Sequence, residues 1–187
     1  MQSINTISLV QRVWRAHILP GAFCIDATAG RGHDTETLCR LVGPEGRVLA
    51  FDIQPEAVAA TRQRLANAGL QAQVIEASHE TMDDHAAANS VDAIVFNLGY
   101  LPGGDHRLAT QPASTIGAID SGLALLKEGG VMTLCVYHGG DTGFAEREAV
   151  LAHLKTLDHH RYTVVLSDFI NRPNHPPLAV VIFKEKM

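Results

Sequence analysis

Short apolar runs rich in β-branched residues alternate along the chain with longer stretches in which apolar positions recur at helical spacing. Ile7, Leu9, Val10, Val13, Trp14 and Ile18 keep that spacing and predict a helix over Ile4–Leu19, ended by Pro20-Gly21. Ala22–Ala27 is a short apolar strand, followed by a helix over Gly32–Val42 that closes at Gly43-Pro44. Arg47–Asp52 is the second strand. Pro55 then suits a first helical turn, where its missing N–H costs nothing, and that helix runs to Ala68 and stops at Gly69. Further strands are predicted at Gln73–Glu76, Val91–Leu98, Val131–Tyr137, Tyr162–Phe169 and Leu178–Phe183. A short, weak helix is expected over Glu80–Ala88, and longer ones over Ala113–Leu126 and Phe144–Leu157. Gly99–Gln111, with three glycines and a proline, reads as a loop.

Strands alternating with helices imply parallel βαβ units with right-handed crossovers. The last two strands are joined only by the short loop Asn171–Pro177, and a parallel crossover needs about a dozen residues or more. The final strand must therefore run antiparallel to the one before it. The expected fold is a single α/β domain over residues 1–187: a doubly wound, Rossmann-like, seven-stranded sheet, mostly parallel with one antiparallel strand.

Composition narrows the setting. With 187 residues, 46% apolar and 19% charged, the chain is a globular domain and not a disordered one. No apolar run approaches the roughly 20 residues that span a bilayer. The first residues lack an apolar run followed by a small-residue cleavage site, which predicts a cytoplasmic protein. Cys24, Cys39 and Cys135 are scattered in apolar runs without a C-x-x-C pair, as buried thiols in a reducing compartment would be. The ten histidines show no ligand spacing, so no metal site is expected. A net charge of −5 gives no general affinity for nucleic acid, although it leaves room for a local basic patch.

The first strand ends in Asp26 and leads into Thr28-Ala29-Gly30-Arg31-Gly32-His33-Asp34. Glycines in such a turn let the backbone approach a ligand, and the helix that follows presents free N–H groups. A dinucleotide fingerprint needs a third glycine where this chain has Thr35. Asp26 and Asp34 would repel a diphosphate but attract a sulfonium or an α-amino group, so the spacing D-x-x-x-G-x-G favours S-adenosylmethionine over NAD. Asp52 closes the second strand where a carboxylate can accept from both ribose hydroxyls, and Gln54 is placed to flank the ribose or adenine. A helix-capping Asp beside a proline turn is the plainer alternative for Asp52. Ser78 and His79, after the third strand, are candidates for the adenine edge and equally for a polar cap.

The fourth strand ends in Asn97-Leu98-Gly99-Tyr100-Leu101-Pro102-Gly103-Gly104-Asp105. Asn97-Leu98-Gly99-Tyr100 looks like a variant of the N-P-P-Y tetrad of enzymes that methylate nitrogen. An Asn oxygen there can accept a hydrogen bond from an attacking amine and aim its lone pair along the S–CH₃ bond. Asn97 and Gly99 join the cofactor candidates. Tyr100 is a candidate to stack on a base or pack against the donor, or simply to anchor the loop. Only a neutral amine attacks, so a proton acceptor is needed. Asp105, beside His106, is the candidate, with a solvated loop pair as the alternative.

These stretches resemble the small bacterial rRNA methylase family, class I S-adenosylmethionine-dependent methyltransferases associated with tRNA 5-aminomethyl-2-thiouridine methylation at the wobble base. The resemblance extends to Thr115, Gly129-Gly130, Tyr137, Gly143-x-x-Glu146 and Phe169-x-Asn171-x-x-Asn174-x-Pro176-Pro177, and so spans about the whole chain. It implies methyl transfer to the primary amine of that uridine, with tRNA as partner, no membrane association, and often a homodimer. Two departures stand out: Arg31 replaces a common Asn, and His138-Gly139-Gly140 reverses a usual Gly-His order. An RNA substrate predicts a basic cluster from Arg107, Arg147, Arg161, Arg172 and His175 near the mouth, with scattered surface charges as the alternative, and Asn171–Pro177 reads either as a rigid lip for the anticodon loop or as a stiff turn between two strands. Methylation of rRNA or of a small amine metabolite, a non-catalytic nucleotide-binding protein and an NAD-dependent oxidoreductase remain the alternatives.

Overall fold

A computed structural model describes residues 4–98, 112–137, 143–173 and 176–186. Helices α1 (Thr6–His17), α2 (His33–Val42), α3 (Pro55–Ala68), α4 (Pro112–Leu125) and α5 (Gly143–Leu154) accompany seven strands. These are β1 (Phe23–Asp26), β2 (Arg47–Asp52), β3 (Gln73–Glu76), β4 (Val91–Leu98), β5 (Leu126–Val136), β6 (Tyr162–Ser167) and β7 (Leu178–Lys184). The sheet order is β3-β2-β1-β4-β5-β7-β6. All neighbours are parallel except β7, which is antiparallel to both β5 and β6. The predicted class and the single reversed strand are therefore observed.

Two apolar layers flank the sheet. Val10, Trp14, Leu38, Val58 and Leu65 from α1, α2 and α3 cover one face. Met82, Ile119, Leu123, Val150 and Leu154 from the segment after β3, α4 and α5 cover the other. Helix α1 begins with a capping box between Asn5 and Ser8, and its Trp14 donates Nε1–H to Thr133 Oγ1 at 2.8 Å, tying it to the sheet.

Several boundaries differ from the pattern-based ones for identifiable reasons. Strand β5 begins at Leu126 and not Val131. The polar run Lys127-Glu128-Gly129-Gly130 reads as a turn, but Lys127 pairs with both oxygens of Asp92 at 3.0 Å, Gly129 takes φ +76°, and the β4–β5 register shifts between Val91 and Ala93. The weak helix expected over Glu80–Ala88 is a 3-10 turn over His79–Asp84, capped by Ser78. Helix α5 ends at Leu154 and not Leu157, where the Thr156 hydroxyl donates to the His153 carbonyl and tightens the turn. Strand β6 ends at Ser167 and not Phe169.

Lys184, almost fully buried, lies at the amino-end side of the parallel strands. Its ammonium donates to Asn89 Oδ1 and to the carbonyls of Leu123 and Leu126, completing the end of α4.

Candidate active site

The carboxyl ends of β1 to β4 are laced together by short hydrogen bonds. Asp52 Oδ2 accepts from Gly30 N and its Oδ1 from Gln54 N, both at 2.9 Å, so one carboxylate joins the glycine turn to the start of α3. Ala77 N donates to the Asp52 carbonyl at 3.0 Å. Thr28 Oγ1 accepts from Asn97 N at 2.7 Å, tying the same turn to the end of β4.

Asp26 lies beneath the turn, 1% exposed. Its Oδ1 accepts from Thr28 N at 3.1 Å and its Oδ2 from the Thr35 hydroxyl at 2.6 Å. Thr35 is the position at which the dinucleotide fingerprint fails, and here its hydroxyl anchors the acid. Gly30 and Gly32 take φ +53° and +77°, and a Cβ on Gly32 would stand 2.9 Å from Thr61 Cα. Only glycine serves there, because the turn presses its backbone onto α3.

Asp34 and Asp52 lie close enough to Asp26 for their charges to act on it. Burial pushes the Asp26 carboxyl up to about 7, and the charges of Asp34 and Asp52 add to the rise; the hydrogen bonds from Thr35 and Thr28 oppose it. Asp34 is raised as well, chiefly by burial, and is held by Gln11 of α1 and by Asn97 Nδ2 at 3.5 Å. Buried carboxyls gathered at one turn favour a cation and disfavour a diphosphate.

The remaining candidates divide. Asn97 and Gln54 are half-buried at the strand ends. Arg31 and His33 are exposed and turn toward α3: Arg64 donates to the Arg31 carbonyl at 2.7 Å and lies 3.0 Å from His33 Nε2. Ser78 Oγ caps the 3-10 turn by accepting from Glu80 N. His79 is buried against Phe96, and its Nε2 has no hydrogen-bond partner among the described residues. Burial holds its imidazole below the ordinary range, against the opposing pull of the Ala27 carbonyl and of Glu80, Glu146 and Asp52. Gly99, Tyr100 and Asp105 lie outside the described residues, as do Arg107 and His175.

Of the expected basic cluster, Arg147 and Arg172 stand at this end of the sheet, but Arg161 does not. It precedes β6 at the opposite end, where its carbonyl accepts from Glu185 N. Reversal of β7 puts the start of β6 at that far edge.

Residues that pattern alone left out are Gln11 and Thr61, whose roles arise only when distant segments meet; Thr35 reads in the pattern only as the break in the fingerprint, not as the anchor of Asp26 nine residues earlier. Thr115 Oγ1 also donates to Glu146 Oε1 at 2.7 Å, a buried link between the first turns of α4 and α5.

Known proteins resemble this chain over most of its length. The family described as "Putative rRNA methylase" matches residues 48–183. The chain belongs to this family. The crystal structure of a putative rRNA-methylase from Clostridium thermocellum superposes with TM-score 0.95 at 41% identity, covering 98% of this chain and 100% of that one. A protein from Streptococcus mutans described as "a putative methyltransferase", crystallised in complex with SAH, gives TM-score 0.88 at 35% identity, covering 98% and 99%. The chloroplastic tRNA (mnm(5)s(2)U34)-methyltransferase of Arabidopsis thaliana is 34% identical over 92% of this chain and 67% of that protein. Ribosomal RNA small subunit methyltransferase H of Chromobacterium violaceum is 32% identical over 51% of this chain but only 30% of its own length.

Proposed function

We propose that this methyltransferase uses S-adenosylmethionine to convert the 5-aminomethyl group of 2-thiouridine at the tRNA wobble position to methylaminomethyl. The observation that carries the reading is the pairing of an acid-lined glycine turn with Asn97, whose backbone is fixed by Thr28 and whose amide N–H₂ faces Asp34. The Arabidopsis relative supports the substrate, and the Streptococcus relative in complex with SAH supports the cofactor.

The donor set fits that cofactor. Asp34 and the underlying Asp26 suit its cationic methionine end, Asp52 and Gln54 its ribose, and Ser78 and His79 its adenine, with Thr28, Gly30, Arg31, Gly32 and His33 shaping the turn around it; Gly99, outside the described residues, completes the proposed cofactor set. When bound, S-adenosylmethionine supplies a methyl group on a positively charged sulfur. The chain must then hold a neutral amine in line with it. With Nδ2 turned to Asp34, the Asn97 Oδ1 is the atom left to accept from the amine. Orientation of that sort contributes several kcal/mol to such a displacement. Tyr100 and Asp105 complete the proposed catalytic set, Asp105 as acceptor of the amine proton.

Three buried free thiols suit a reducing cytoplasm, and no helix among the described residues is long and apolar enough to cross a membrane. The exposed apolar edge strand β6 supports a homodimer.

The test is incubation of the purified protein with S-adenosylmethionine and tRNA carrying aminomethyl-thiouridine, followed by mass spectrometry of the nucleosides. Conversion to the methylaminomethyl nucleoside is expected. An unchanged tRNA alongside methylated small-subunit rRNA would replace this reading with the one suggested by the rRNA methyltransferases.

A further inference from the structure

Hydrogen-bond register across the sheet aligns Leu98 of β4 with Val136 of β5, and Val136 with Leu178 of β7. The loop between β6 and β7 therefore rises at the same edge as Asn97. Two strand spacings, roughly 10 Å, separate β4 from β7. Along this line stand groups that the methyl-transfer site does not use.

Tyr137 follows β5, its backbone N–H donating to the Leu98 carbonyl at 3.4 Å, and its side chain is 41% exposed although it lies near enough to Asp34 to feel that charge. Beyond it, the Arg172 guanidinium lies over the Phe169 ring at 4.5 Å from the centroid, and Arg172 N donates to the Phe169 carbonyl in a turn. Ile170, between them, is 97% exposed. The end of the loop is fixed: the Thr6 hydroxyl of α1 donates to the Pro177 carbonyl at 2.6 Å, and Thr6 is buried. An aromatic ring and a guanidinium plane exposed beside a reaction centre, on a chain of net charge −5, are not a general phosphate-binding surface. Planar groups of this type stack on unpaired bases, and the cation adds attraction for the polyanion.

Resting on the tRNA reading, we propose that Tyr137 and the Phe169–Arg172 pair form a stacking track for unpaired bases flanking the target nucleotide in a single-stranded RNA loop. The track recognises a loop with splayed bases and would discriminate against a duplex, whose bases are not free to stack.

The experiment uses the full chain and a synthetic RNA stem-loop with 2-aminopurine next to the target uridine. Fluorescence of that base reports stacking independently of methylation. Binding of the wild-type protein is expected to change the fluorescence. Tyr137→Ala and Arg172→Lys should each weaken stem-loop binding and raise KM for tRNA by roughly 10-fold. Affinity for S-adenosylmethionine should stay unchanged, which also shows that the variants fold. Tyr137→Phe should keep wild-type binding, because the ring is what matters. Unaltered binding in Tyr137→Ala, or full function in Arg172→Lys, would overturn the track; the second result would assign Arg172 to phosphate contact by charge alone. Failure of the wild-type enzyme to methylate tRNA is a different result, and would count against the substrate assignment itself.

Discussion

Asn97 is constrained from two sides, by Thr28 at its backbone N–H and by Asp34 at its amide. The Asp34 oxygen accepts from the amide Nδ2, so Oδ1 is the end of the amide not engaged by Asp34. Asn97→Ala should lower kcat by roughly 100-fold, the scale of effect seen when a reacting group loses its orientation. Calorimetry should find S-adenosylmethionine affinity nearly unchanged; a kcat equal to wild type would remove Asn97 from the chemistry. Asp26 gives the second prediction at this scale. Its carboxyl, ordinarily near 3.8, is raised to about 7 by burial and by its acidic neighbours. The folded state thus binds a proton that the unfolded state has released over that interval, so stability is full below the lower value and falls as pH rises through about 7. The loss approaches about 4 kcal/mol if the whole shift is expressed, and urea unfolding across the interval measures it. Cation affinity should run the other way, tightening as Asp26 ionises. Asp26→Asn should flatten both slopes. The acids and glycines of this site were legible because their order along one turn encodes them. Gln11 and Thr61 were not, since nothing in a helical pattern says which polar position will meet a turn 20 or more residues away, a separation only the folded chain closes.

At the scale of elements, punctuation by Gly and Pro made β2, α3, β3 and β4 readable, because a left-handed Gly69 or an N-terminal Pro55 marks a boundary locally. The start of β5 was hidden because its polar opening is stabilised across the sheet, by Asp92 on β4, and not by its own residues. Lys184 is a similar case. A lysine at the end of an apolar strand reads as solvent-facing, yet here its ammonium satisfies two carbonyls at the end of α4 and the Asn89 side chain. Lys184→Met preserves the apolar stem but leaves those acceptors without a donor, and should cost about 2 kcal/mol. The check is a lower urea midpoint at unchanged slope, with S-adenosylmethionine affinity unaffected because the site lies at the other end of the sheet. An unchanged midpoint would show that the ammonium is not needed to close the helix.

At the scale of the whole molecule, β6 is the anomaly. It is an edge strand whose Val164, Val165 and Leu166 are 37%, 43% and 50% exposed, so both of its faces present apolar side chains to solvent. Successive residues of a strand point to opposite faces, and an edge carries unpaired backbone groups besides. Edge strands on monomers are commonly guarded by charge, Pro or a covering helix, and none of Tyr162–Ser167 is charged or proline. A second copy of the chain is the occupant that would cover this strand in every molecule at once, by a self-complementary contact about a two-fold axis. Leu166→Lys should therefore shift the protein from dimer to monomer in sedimentation velocity. Because an exposed substitution changes monomer stability by no more than about 0.5 kcal/mol, any larger drop in thermal midpoint reports the lost interface and should depend on protein concentration. A wild-type protein that sediments as a monomer at every concentration would leave β6 without this partner.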